Sequence, residues 1–68
     1  MEFEEKAQIR ISHWITHNDH HQEEYELFCE QLEQAGRKKS AEHIREMARL
    51  TRASTECLRK ALEDLAEK

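Results

Sequence analysis

The chain has no proline, one glycine (Gly36), and only four aromatic residues among 68. A β-domain needs frequent turns, and turns draw on glycine and proline, so this composition excludes a turn-rich β-fold. It leaves uninterrupted helices divided near the middle of the chain. No apolar run is long enough to cross a bilayer, so no membrane span is expected. The two cysteines, Cys29 and Cys57, are isolated thiols without a CxxC spacing, for which the reduced state is the default. Met1 is followed by Glu2, Glu4 and Glu5 rather than an apolar leader segment. The expectation is a reduced, cytoplasmic protein.

What is present is charge and a thin apolar fraction. Charged residues make up 38% of the chain and hydrophobic ones 37%. At this length one domain spanning 1–68 is expected, and a chain so short commonly completes its core by oligomerising. The net charge is −4, yet residues 1–35 hold nine acidic and two basic residues, while 36–68 hold six acidic and nine basic. Opposite charge favours the two halves lying side by side. The acidic balance excludes general nucleic-acid binding, and the basic tip Arg37, Lys38, Lys39 reads as a solvated loop.

Apolar spacing supplies the architecture. One seam runs Ala7, Ile11, Trp14, Asn18, His21, Tyr25, Phe28, Leu32, Ala35, in alternating steps of four and three. That is one helix face packed on another. A second seam runs Ala41, Ile44, Ala48, Thr51, Thr55, Leu58, Leu62, Leu65. The expected elements are helix 1 over about 4–35, a turn over about 36–39 with Gly36 as the left-handed stop, and helix 2 over about 40–66 with Ser40 as N-cap. So short a break makes the helices antiparallel neighbours, an all-α two-helix hairpin. Beside the second seam lies another, Met47, Leu50, Ser54, Cys57, Ala61. One partner helix cannot cover so wide a face, so the hairpin is expected to dimerise into a four-helix bundle.

Four of the five histidines fall within HWITHNDHHQEE, residues 13–24. His13, His17 and His21 advance by about 40° each around the helix, a stair up one side. Imidazoles one turn apart can share a zinc, nickel or cobalt ion. His13, His17, His21 and Glu24 are the candidate ligands, with Glu24 able to bind directly or to orient a histidine. The stair spans about 12 Å, too far for one ion to reach all of it. The tightest sets are therefore His17, His21 and Glu24, or His13 with His17, completed by the other helix or another subunit. Neither HExxH nor a Glu-x-x-His within the cluster is present, so the metalloprotease and ferritin-like di-iron patterns are not met. The alternative is a polar core layer of Asn18, His21, Thr51 and Thr55, which would fix register rather than bind an ion.

The segment HWITHNDHH, followed by Tyr25, a glycine-marked turn and a second helix ending in LRKALEDL, resembles a small prokaryotic helical domain of unknown function. The shared pattern falls on His13, Trp14, His17, Asn18 and His21. The resemblance implies a helical hairpin and names no ligand. The expectation is a non-enzymatic binding module that forms a homodimer and binds a metal ion or a protein partner. The competing reading is a purely structural adaptor.

Overall fold

A computed structural model of the chain describes residues 2–67; Met1 and Lys68, the two ends of the expected domain, lie outside the described residues. Two helices, α1 (Phe3–Gln34) and α2 (Lys38–Ala66), form a hairpin 51 × 16 × 12 Å in extent.

The turn between them follows from Gly36. At φ 77 it occupies the left-handed region that costs a side-chain-bearing residue. The Arg37 N–H donates to the Leu32 carbonyl (2.8 Å) and the Gly36 N–H to the Glu33 carbonyl (3.0 Å). Together these bonds make a Schellman stop that satisfies two of the last carbonyls of α1. The chain re-enters a helix at once. Arg37 is the N-cap of α2, without a side-chain cap, and the Ala41 N–H closes the first turn on the Arg37 carbonyl at 3.1 Å. Ser40 therefore lies inside the first turn rather than at the cap, because the Schellman bonds end the turn before Ser40 is reached.

On α2 the packed face is the expected one: Ala41, Ala48 and Thr55 are buried and Ile44, Thr51, Leu58, Leu62 and Leu65 half-buried. On α1 the face differs by about one position. Ile15 and Cys29 are buried and Gln22 half-buried, whereas Trp14 and Phe28 are 48% and 49% exposed. The true seam of α1 reads Gln8, Ile11, Ile15, Asn18, Gln22, Tyr25, Cys29, Leu32. The row of Ala41, Ala48 and Thr55 brings the helix backbones close together, leaving no room between them for an indole or a phenyl ring. A sulfur and a branched aliphatic side chain fit instead.

Two cross-helix bonds fix the register. The Asn18 Nδ2 amide donates to Thr55 Oγ1 (3.2 Å), and the Gln8 Nε2 amide donates to the Leu65 carbonyl (3.1 Å). Asn18 therefore lies level with Thr55.

Charge fixes which edges of the helices face each other. Asp19, Glu26 and Glu33 recur every seven residues on α1, as do Arg45, Arg52 and Arg59 on α2. Arg59 grips both carboxylate oxygens of Asp19 at 2.8 Å, and Arg45 pairs with Glu33. Glu26 and Arg52 line the shallow cleft between these bridges. The Asp19 hydrogen bonds hold the Arg59 guanidinium above its ordinary pKa. One edge of the hairpin is thus a row of ion pairs.

Candidate functional site

The opposite edge carries no such charge row. One residue before alternate seam positions, α1 presents Ala7, Trp14, His21 and Phe28, and α2 presents Ser40, Met47, Ser54 and Ala61. In two antiparallel helices these rows border the same side of the seam, away from the arginines. Bulky rings therefore run along α1 and mostly small side chains along α2. Phe3, Ala7, Ile11 and Trp14, with the flanking Lys6 and Arg10, line an open groove of about 280 Å³ at one end of this edge.

The histidine stair sits at the middle of the edge. The Nε2 atoms of His17 and His21 approach to 2.8 Å, with ring centroids 4.3 Å apart and planes at 89°. Glu24 Oε1 stands 3.3 Å from His21 Nδ1 and 3.5 Å from His20 Nε2. A carboxylate beside Nδ1 favours the tautomer protonated there, which leaves the lone pair of His21 on Nε2. His17 then completes the contact by donating its Nε2–H to that lone pair. Tyr25 stacks on His21, with ring centroids 5.9 Å apart.

His13 stacks on His17 with centroids 6.4 Å apart. His17 and His21 are thus the pair brought together, and Glu24 touches His21 through the nitrogen that faces away from His17. Among the described residues, no three His, Cys, Asp or Glu side chains converge as a metal-ligand group.

The polar layer is built by other means. Thr55, 2% exposed, accepts from Asn18 and donates to the Thr51 carbonyl at 3.0 Å. Thr51 Oγ1 turns towards Met47 Sδ at 3.5 Å. Gln22, absent from the sequence-derived layer, donates to the Ala48 carbonyl at 3.1 Å and accepts from Arg52 at 3.4 Å. Among the described residues no buried side-chain nitrogen or oxygen lacks a partner. His21 stands at the edge of this layer with its Nε2 turned along α1 to His17. The seven-residue recurrence of acids on α1 and arginines on α2 is the signal that identifies Gln22 and Cys29 as seam residues. With those rows facing each other, the seam must run beside them.

Neither thiol forms part of a catalytic constellation. Cys29 is buried with its S–H directed at the Ala41 carbonyl (3.7 Å), and Cys57 is exposed. No helix of the described residues is long and apolar enough to cross a membrane.

Residues 7–65 match the model of a protein family described as a domain of unknown function (DUF8180). No curated protein and no solved structure matches the chain.

Proposed function

The chain belongs to the DUF8180 family, and because that description carries no activity, we propose from geometry that it is a non-enzymatic binding module working as a self-associating helical hairpin. The occupant of the edge opposite the ion-pair row is a second copy of the chain, giving a four-helix bundle.

One observation carries this reading: the bulky rings of Trp14 and Phe28 are outside. Among the described residues no large side chain is fully buried, while Trp14 and Phe28 remain about half exposed in one row with His21. A lone hairpin with so small a core is marginal, and covering those rings is the available source of further stability. The face also suits itself. A twofold axis perpendicular to α1 lays this edge antiparallel on the same edge of the other copy, α1 against α1 and α2 against α2, the self-complementarity an isologous contact requires. Its 51 × 16 Å outline is about the 800 Å² that each partner gives to a standard interface. The ion-pair row lies on the other edge and need not be desolvated in closing this one, where Glu24 keeps its contact with His21.

Trp14, the only tryptophan, reports on the contact directly. Dilution is expected to shift its emission to the red as the scattering mass falls from twice the 8.2 kDa chain mass to one chain. A folded species of single-chain mass at high concentration, with unchanged emission throughout, refutes self-association.

A further inference from the structure

We propose that His17 and His21 are one half of a transition-metal site that the second copy completes, an inference that rests on the self-association just described. The 2.8 Å between their Nε2 atoms is close to the roughly 2.9 Å that separates two neighbouring ligands at a right angle when each metal–nitrogen bond is about 2.0–2.1 Å. Two imidazole nitrogens meeting edge to edge either share a proton or share a cation. The lone pair that Glu24 directs to His21 Nε2 serves both.

Within one chain the donor set stops at two nitrogens, since no third ligand side chain converges on the pair among the described residues. The pair sits on the edge that meets its own copy, one turn from Trp14 and Tyr25. A twofold axis crossing α1 between His17 and His21 brings two such pairs to one ion. Four imidazoles then surround it, and the rings of Trp14 and Tyr25 limit its access to water. Glu24, one from each copy, matches a divalent charge from outside the ligand shell. An all-imidazole set with right-angle spacing suits nickel or copper in tetragonal geometry, and a modest opening of the rings accommodates zinc.

The test is titration of protein purified without a histidine tag, using nickel chloride and zinc chloride, followed by calorimetry and sedimentation. The expected result is one ion per two chains, bound tighter than about 10 μM, with the dimer dissociating at least tenfold more weakly than without metal. His17→Ala and His21→Ala should each abolish binding. Glu24→Gln should weaken it by about tenfold or more while both ligands remain, a loss that a merely structural carboxylate would not produce. One ion per chain, or affinity unchanged in the two alanine variants, overturns the shared site. Metal-free protein that dimerises but binds neither ion overturns this site alone. Protein that stays monomeric with and without metal overturns self-association as well.

Discussion

Replacing Thr55 with valine tests how the polar layer is held. The side chain is 2% exposed, and its hydroxyl is both acceptor for Asn18 and donor to the Thr51 carbonyl. Valine keeps the shape and removes both roles. The Thr51 carbonyl lies inside α2, where the main chain also serves it, but the Asn18 amide loses its partner at a half-buried position. Leaving a buried donor unpaired costs about 1–3 kcal/mol, and partial access to water puts this case near 1 kcal/mol. The converse change, Asn18→Leu, leaves Thr55 still donating to Thr51, so it should be close to neutral. Combined, the two should cost less than Thr55→Val alone, giving a coupling of about 1 kcal/mol. Urea unfolding at one fixed protein concentration reads these differences, the concentration mattering because assembly contributes to stability. In thermal melts the single Thr55→Val change corresponds to about 4–8 °C for a domain of this size. A neutral Thr55→Val, or a coupling below about 0.3 kcal/mol, would refute the claim that this bond sets the register.

Two further changes probe the backbone and the seam. Gly36→Ala places a Cβ where nothing lies within 4 Å, so its cost should be the left-handed strain alone, about 1–2 kcal/mol by denaturant unfolding. A larger loss would mean that the turn has a neighbour the structure does not show. Ala48→Leu forces extra carbons into the close approach of the helices and should destabilise by about 1–3 kcal/mol, whereas Ala53→Leu, at an exposed position, should be tolerated within about 0.5 kcal/mol. Equal effects at the two positions would contradict the placement of the seam.

Much of the hairpin is legible in the sequence. Gly36 alone among proline-free helical patterning dictates one break, and the regular row from Ala41 to Leu65 identifies the packed face of α2. The face of α1 is not legible from hydrophobicity alone. Ile11, Asn18, Tyr25 and Leu32 can be joined by either of two rows, Trp14, His21 and Phe28, or Ile15, Gln22 and Cys29. Apolar bulk favours the first row, and the fold uses the second. The choice is made by the partner helix, whose alanines and threonine demand close approach, and by the arginines that must meet Asp19 and Glu33. Both are long-range facts that inspection of α1 by itself does not contain. The same rotation explains the histidines. The spacing puts His17 and His21 on one side of the helix, but only the placement of the seam shows that this side is an open edge. The contact of Glu24 with His21 Nδ1 depends on side-chain conformation and is invisible at the level of spacing.

The central claim, that the edge bearing Trp14 and Phe28 meets a second copy, is tested most directly by sedimentation equilibrium on Phe28→Glu beside Leu27→Glu. The two side chains are 49% and 58% exposed in this hairpin, so neither substitution should unfold it, and they point about 100° apart around α1. A carboxylate at position 28 lies on the proposed contact and should weaken the dimer at least tenfold, whereas at position 27 it should leave the dimer unchanged. Equal masses for both variants and the unmodified chain across the concentration range would contradict the account.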